Sequence, residues 1–129
     1  MLSPFGANAI GGATIALLAG LALSNAGRSQ TPGSAKELFD KRCGGCHSLN
    51  RDKEGPRLGG VYGRTAGSVD SFQYSDALKK SKIVWTDEAL DRWLTDTERL
   101  VPNNDMAVRV ERADERREII GYLKQHPSE

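Results

Sequence analysis

The chain has 129 residues, of which 27% are charged and 38% are hydrophobic. This length favours one small domain, and the composition is too apolar for a disordered chain. The formal net charge is only +1, which excludes the strongly basic composition typical of nucleic-acid binding, so we expect no nucleic-acid partner. Only 6% of the residues are aromatic, which predicts a thin core.

The N-terminal segment resembles a signal peptide. Residues 1–26 carry no charge, and the apolar run over residues 9–24 ends in Ser24, Asn25 and Ala26, a small-x-small cleavage pattern. The usual Lys or Arg before the run is missing, so an uncleaved membrane anchor is the alternative. The run is near the lower limit of about 17 residues for crossing a bilayer.

These features divide the chain into three parts. We predict a signal peptide over residues 1–26, a linker over residues 27–33 and one domain over residues 34–126. Export predicts a periplasmic location, which is an oxidising compartment. Contact with the membrane is expected only if the first segment is retained as an inner-membrane anchor.

The first helix of the domain is predicted to begin at Ser34, which has the spacing of a capping box with Glu37. Phe39 and Cys43 then fall on or near one face of this helix. Residues 48–71 are rich in glycine and turn-forming residues, which predicts a long ordered loop. Loops of this length in a compact domain usually surround a functional site.

Two further helices are predicted in the middle of the domain. Ser75 caps a short helix that runs through Lys80, and Thr86 caps another that ends near Thr95. The apolar side of the second helix consists of Leu90, Trp93 and Leu94.

The C-terminal part is predicted as a loop followed by a final helix. The loop covers residues 101–110, and Asp114 is the predicted cap of the helix, which ends before Pro127. The inward side chains of this helix are Ile119, Ile120 and Leu123. No strand alternation is visible in the sequence. We therefore predict an all-α fold with helices at both ends and loops between them.

The chemistry is carried by Cys43, Cys46 and His47, which form a C-x-x-C-H pentad, the attachment signature of c-type haem. On a helix, positions i, i+3 and i+4 share one face, so both thiols and the imidazole would project from the same side. The thiols can add to the two vinyl groups of haem, and the imidazole reaches the iron. We predict one covalently attached haem c per chain, with His47 as an iron ligand.

Other interpretations of the pentad are weaker. A thioredoxin-like C-x-x-C pair requires a βαβ context, which the sequence does not indicate. A structural zinc site requires four ligands, and the chain has only two cysteines. A disulfide between Cys43 and Cys46 would close almost no loop.

Met106 is the predicted second axial ligand. It lies in the polar stretch VPNNDMAV, where a core methionine is not expected, and His/Met ligation is the pattern of cytochromes c. The alternatives are that Met106 only packs in the core, or that His126 is the ligand.

An ordered set of motifs from residue 34 to residue 125 resembles the class I cytochromes c, the group of mitochondrial cytochrome c and bacterial cytochrome c2. The motifs are CGGCH, GPRLGGVYGRTAG, FQYSDA, IVW, the VP…M loop and EIIGYLK. The resemblance implies the small cytochrome c fold, in which the N- and C-terminal helices cross and loops enclose a covalent haem. Phe39 and Tyr122 would mark that crossing.

The resemblance also implies roles at the cofactor. Pro56 would accept a hydrogen bond from His47 through its carbonyl group, which orients the imidazole. The remaining cofactor-binding residues, of which the first three would hold the haem propionates, are Arg64, Tyr74, Trp85, Trp93 and Asn104. The chain departs from the family at Trp93, where a tyrosine is usual, and at Leu78, where the mitochondrial form has an asparagine.

The function that the resemblance implies is that of a one-electron carrier rather than an enzyme, in a respiratory or photosynthetic chain. Its partners would be a bc1-type complex, a terminal oxidase, a reaction centre or a dehydrogenase, and we expect a monomer. Around the expected haem edge, Glu98 and Asp105 replace lysines, whereas Arg42 and Arg99 are basic. Two alternatives are a membrane-anchored haem domain of a redox complex and a peroxidase-like or gas-binding protein with an open iron site.

Overall fold

The computed structural model describes residues 32–128, so the predicted signal peptide lies outside the described residues. Within this range the chain forms helices and loops, and its one β-type pairing is an isolated bridge between Thr65 and Val84. The helices are α1 (Pro32–Arg42), α2 (Asp76–Lys80), α3 (Asp87–Thr95), α4 (Thr97–Leu100) and α5 (Ala113–Lys124). The predicted all-α class is confirmed.

The first and last helices pack against each other. The rings of Phe39 and Tyr122 lie 5.0 Å apart between their centroids at this contact, as the resemblance implies. Arg42 at the end of α1 forms an ion pair with Glu115 at the start of α5, with 2.6 Å between Nη2 and Oε2. The crossing therefore joins the two ends of the described chain around one core.

Helix α3 packs on α5 and supplies the middle of the core. Its predicted apolar side is buried, since Leu90, Trp93 and Leu94 are each at most 5% exposed. Thr86 caps the helix as predicted, because its side chain accepts a hydrogen bond from the Ala89 N–H group. The inward side chains predicted for α5, namely Ile119, Ile120 and Leu123, are buried against it.

Two helix starts differ from the predictions. Helix α1 begins at Pro32 rather than Ser34, because proline is compatible with the first helical turn, where its missing N–H group has no intrahelical partner. Helix α5 begins at Ala113, and Asp114 is not its cap. The Asp114 carboxylate instead accepts hydrogen bonds from the side chain of Arg112.

Helix α4 was not predicted. It is only four residues long, and Asp96 is its N-cap, with a side-chain oxygen that accepts a hydrogen bond from the Arg99 N–H group at 3.1 Å. The same Asp96 ends α3, so the chain turns sharply between the two helices. This turn brings α4 against α3.

The segment between α1 and α2 contains no helix, in agreement with the predicted long loop. Main-chain hydrogen bonds hold it in place. The Ala66 N–H group donates to the Ile83 carbonyl at 2.7 Å, and the Trp85 N–H group donates to the Arg64 carbonyl at 3.0 Å. The C-terminus also contacts this loop, because the Gly60 N–H group donates to the His126 carbonyl at 2.9 Å. The loop is thus ordered by bonds to distant segments.

We predict that Ile119→Ala lowers the free energy of unfolding by about 2–5 kcal/mol, because Ile119 is 0% exposed and truncation leaves a cavity at the α1–α3–α5 contact. Urea unfolding of the purified protein measures this. The control is Val84→Ala, at a side chain that is 46% exposed, where we expect a change within about 0.5 kcal/mol. Equal effects of the two substitutions would contradict the assigned core.

Candidate functional site

A cavity of about 390 Å³ lies between the turn after α1, the long loop, α3 and the segment after α4. This volume is in the range of cofactor pockets, about 300–1,000 Å³. Most of the predicted site residues line it, namely Cys43, Cys46, His47, Pro56, Arg64, Tyr74, Trp93, Asn104 and Met106. Apolar side chains complete the walls, among them Leu58, Val61, Leu78, Leu94, Val108 and Val110.

The C-x-x-C-H pentad is not helical, in contrast to the geometry assumed from its spacing. Helix α1 ends at Arg42, and the residues that follow form consecutive turns. Bonds of helical spacing remain, among them those from the Cys43 N–H group to the Phe39 carbonyl at 2.7 Å and from the His47 N–H group to the Cys43 carbonyl at 2.9 Å. Gly44 and Gly45 are poor helix formers, which accounts for the early end of α1. The turns still direct both cysteines and His47 to the same cavity.

Cys43 and Cys46 are not joined by a disulfide. Cys46 is exposed and Cys43 is half-buried. Burial raises the pKa of the Cys43 thiol to about 11, and the nearby charge of Arg42 opposes this only in part. An apolar environment that disfavours a thiolate is compatible with an uncharged thioether at this position.

The imidazole of His47 is buried, at 8% exposure, and its orientation is fixed by one hydrogen bond. Its Nδ1 atom lies 2.8 Å from the carbonyl oxygen of Pro56. A carbonyl only accepts, so Nδ1 carries the hydrogen and Nε2 keeps its lone pair. Burial lowers the pKa of His47, although the Pro56 carbonyl opposes this. The ring is therefore neutral with a free nitrogen, as a metal ligand requires.

Gly55 makes this arrangement possible because its main chain lies directly against the imidazole. A Cβ atom at this position would lie 2.2 Å from Cε1 of His47 and 2.6 Å from Nδ1. No side chain fits at that distance. The Gly55-Pro56 pair thus combines a close approach with a hydrogen-bond acceptor.

Met106 reaches the cavity from the loop after α4, and two side chains bond its main chain. The Asn104 Oδ1 atom accepts a hydrogen bond from the Met106 N–H group at 2.7 Å, and Asn104 Nδ2 donates to the Val101 carbonyl at 2.9 Å. The Thr97 hydroxyl donates to the Met106 carbonyl. Asn104, predicted as a cofactor-binding residue, is therefore placed to orient Met106.

Arg64 and Tyr74 supply polar groups to the cavity. Arg64 donates from Nη1 to the Gly59 carbonyl at 3.1 Å and from Nη2 to the Arg57 carbonyl at 2.9 Å. Among the described residues it forms no ion pair with a carboxylate. Desolvation lowers the pKa of Arg64 and raises the pKa of Tyr74. A partly buried cation without an anionic partner is costly, so an anionic group at this end of the cavity would stabilise the site.

The two tryptophans have different positions. Trp93 lines the cavity, whereas Trp85 does not. Trp85 is buried and packs on Trp93 with 5.4 Å between ring centroids. Its predicted bond to a propionate stays a prediction. His126 also lies away from the cavity, where its Nδ1 atom is 2.6 Å from the Tyr122 carbonyl and its ring packs on that of Tyr122.

Sequence analysis missed Thr97. The residue is buried at 3% exposure, and its hydroxyl donates a hydrogen bond to the carbonyl of Met106, nine residues later in the chain. A signal was available, because Thr97 follows Trp93 and Leu94 at helical spacing and is thus expected on their apolar side. Its bonding partner depends on the turn at Asp96, which has no strong sequence signature.

The residues of the cavity fit a haem. Two cysteine side chains, a neutral imidazole with an available nitrogen and a thioether line the same space. Apolar side chains match a porphyrin face, and the unpaired guanidinium of Arg64 matches its carboxylates. These are the donors that a c-type haem site needs.

We predict that Gly55→Ala displaces the His47 imidazole, because the added methyl group overlaps the ring. The free energy of unfolding of the haem-loaded protein should fall by about 1–3 kcal/mol, which is typical of an overpacked site. The visible spectrum should show weakened histidine–iron ligation.

Gly45→Ala is the matched control, since a Cβ atom at Gly45 meets no protein atom within 4 Å. We expect its stability to change by no more than about 0.5 kcal/mol. An unchanged spectrum and stability for Gly55→Ala would show that the imidazole does not occupy the assigned position.

The sequence is similar to those of known proteins. Residues 34–127 match the family model described as Cytochrome c. The chain is 42% identical over 92 residues to cytochrome c of Euglena viridis, covering 69% of this chain and 90% of that protein. It is 38% identical over 101 residues to cytochrome c of Theileria annulata, covering 75% of this chain and 87% of that protein.

A solved structure shows the same similarity to cytochromes c. The chain superimposes on cytochrome cH from Methylobacterium extorquens with a TM-score of 0.68 and 35% sequence identity, covering 72% of this chain and 96% of that chain. Both the sequence and the fold of the described domain therefore agree with one assignment. The chain belongs to the cytochrome c family and carries covalently bound haem c.

Proposed function

We propose that this cytochrome c is an exported, mobile one-electron carrier whose haem iron is ligated by His47 and Met106. The observation that carries the proposal is that His47 and Met106 line the same cavity as both cysteines, although they come from segments 59 residues apart. Haem supplies a one-electron couple between ferrous and ferric iron. The chain's own residues determine how that couple is used.

Ligation from two sides is supported by how each ligand is held. The Pro56 carbonyl fixes the tautomer and the ring plane of His47. Asn104 and Thr97 bond the main chain of Met106. If His47 and Met106 both hold the iron, no open site would remain for a substrate, and electron transfer without bond making would be the chemistry left to the haem.

The residues around the iron also favour electron transfer. Trp93, Leu94 and Val110 are at most 5% exposed and form part of the cavity wall. An apolar, water-poor environment disfavours the extra positive charge of ferric iron, which raises the reduction potential. The side chains of a buried site that is fixed by hydrogen bonds also rearrange little when the iron changes between its ferrous and ferric states.

The electron partners are proposed to meet the protein at the exposed edge of the cavity. Arg42, Glu54 and Asp105 line it, so charges of both signs lie near this edge. A mixed patch gives weak electrostatic steering, and we propose small, transient contacts with a partner that is not strongly acidic. A bc1-type complex, a terminal oxidase, a reaction centre and a dehydrogenase are the candidate partners.

The proposed location is the periplasm, and it depends on the uncharged N-terminal segment, residues 1–26. None of the helices between residues 32 and 128 combines the length and the hydropathy of a membrane-crossing segment. N-terminal sequencing of the mature protein separates a cleaved signal peptide from a retained anchor.

Met106→Ala tests the proposed ligation. Removal of the thioether should lower the reduction potential by more than about 100 mV, a fraction of the roughly 0.8 V range that axial ligands cover. It should also open the iron to added imidazole. Redox titration and imidazole titration, both followed by visible absorption, measure the two effects.

Leu100→Ala is the control, because Leu100 is a partly buried apolar residue of the same region that does not line the cavity. Its potential should remain close to that of the unsubstituted protein. If Met106→Ala has the same reduction potential as the unsubstituted protein and does not bind imidazole, Met106 is not an iron ligand and another residue holds that axial position.

A further inference from the structure

Apart from tyrosines and tryptophans, two polar side chains are buried within the described residues, and each bonds the main chain at the haem site. His47 is 8% exposed and Thr97 is 3% exposed. His47 is the proposed iron ligand and bonds the Pro56 carbonyl. Thr97 bonds the carbonyl of Met106, the other proposed ligand. The burial of Thr97 therefore needs an explanation in terms of the site.

Thr97 differs from an ordinary helical threonine in its hydrogen bond. Threonine hydroxyls in helices usually return to the carbonyl four residues earlier, as Thr95 does with the Asp91 carbonyl at 2.7 Å. Thr97 instead donates to a carbonyl nine residues later in the chain. Its hydroxyl therefore links a helix to the loop that carries Met106.

The position of Thr97 is fixed by the short helix to which it belongs. Asp96 caps α4 through the Arg99 N–H group at 3.1 Å, and the Thr97 carbonyl accepts from the Val101 N–H group at 2.9 Å. Asp96 also pairs with Arg109, beyond Met106, with 2.8 Å between Oδ2 and Nη2. Helix α4 packs on α3, whose Trp93 lines the cavity. Thr97 thus connects Met106 to a packed wall of the site.

Asn104 completes this arrangement from the other side of Met106. Its side chain accepts from the Met106 N–H group at 2.7 Å, whereas Thr97 donates to the Met106 carbonyl. Both main-chain polar groups of one residue are therefore bonded by side chains. Asn104 lies within the loop, and its side chain reaches α4 only through a long contact of 3.5 Å from Nδ2 to the Glu98 carboxylate. Thr97 belongs to α4 and bonds the Met106 carbonyl directly.

We propose that Thr97 is a positioning residue that keeps Met106 on the haem iron and limits its displacement by added ligands. This inference rests on the proposed His/Met ligation. The hydroxyl stabilises the ligated state because displacement of Met106 by movement of its loop breaks a buried hydrogen bond. Without the hydroxyl, the Met106 carbonyl loses its donor and the loop moves more easily.

The test is imidazole titration of the ferric, haem-loaded protein, followed by visible absorption. Thr97→Val keeps the shape of the side chain but removes the donor, and we expect its affinity for imidazole to rise about tenfold, which corresponds to about 1.4 kcal/mol. Thr97→Ser keeps the donor and should bind imidazole as the unsubstituted protein does. The reduction potential of Thr97→Val should fall, with rescue in Thr97→Ser.

Thr95→Val is the matched control. It also removes a threonine hydroxyl that bonds a main-chain carbonyl, only two residues away, but at an exposed position without a bond to Met106. We expect no change in its imidazole affinity or potential. Thr97→Ala also removes the hydroxyl but has a smaller side chain. An effect seen only in Thr97→Val would therefore come from a poor fit of valine.

The outcomes separate the inference from the proposed function. If the unsubstituted protein binds imidazole as readily as Met106→Ala, the proposed ligation by Met106 fails. If the unsubstituted protein resists imidazole and folded Thr97→Val and Thr97→Ala resist it equally, the positioning role of Thr97 is overturned and the proposed function stands. Loss of helical circular dichroism in both variants would assign Thr97 to folding and would also overturn the positioning role.

Discussion

The attachment of haem through Cys43 and Cys46 is the interaction on which the rest of this structure depends. Only 6% of the chain is aromatic, and the segment between α1 and α2 has no helix of its own. This segment, α3 and the Met106 loop all contribute walls to one cavity. A porphyrin in that cavity gives them a shared apolar partner, and the covalent bonds keep it there without relying on burial alone.

Each proposed axial ligand is controlled by main-chain bonding rather than by contact with the metal alone. His47 receives its orientation from the Pro56 carbonyl, and the main chain of Gly55 lies directly against the ring. Met106 is held through its N–H and carbonyl groups by Asn104 and Thr97. The first arrangement lies within nine residues of the pentad, whereas the second depends on the turn between α3 and α4.

The sequence predicted the parts of the structure that depend on local signals. The pentad, the Thr86 and Ser75 caps and the apolar side of α3 each follow from residues near one another. Helix starts were predicted less well, because Asp114 bonds Arg112 instead of capping α5. Competing side-chain partners of this kind are not visible in a capping pattern.

The candidate site shows the same division between features with a local sequence signal and features without one. Its ligands were predicted from the motif and from the family resemblance. The Pro56 carbonyl lies 2.8 Å from Nδ1 of His47, and Asn104 lines the same cavity. Thr97 was missed because its role comes from a contact across a turn that has no strong local signature. Trp85 packs against Trp93 and does not line the cavity, so its contact with the cofactor stays a prediction.

The most direct test of this account is a visible spectrum of the exported protein, recorded during redox titration and combined with the mass of the intact chain. The account predicts that the mass includes one haem bonded through two thioethers. It also predicts a low-spin spectrum in both oxidation states and one reversible one-electron transition. A colourless protein with both thiols free, from a host that matures c-type cytochromes, would contradict it.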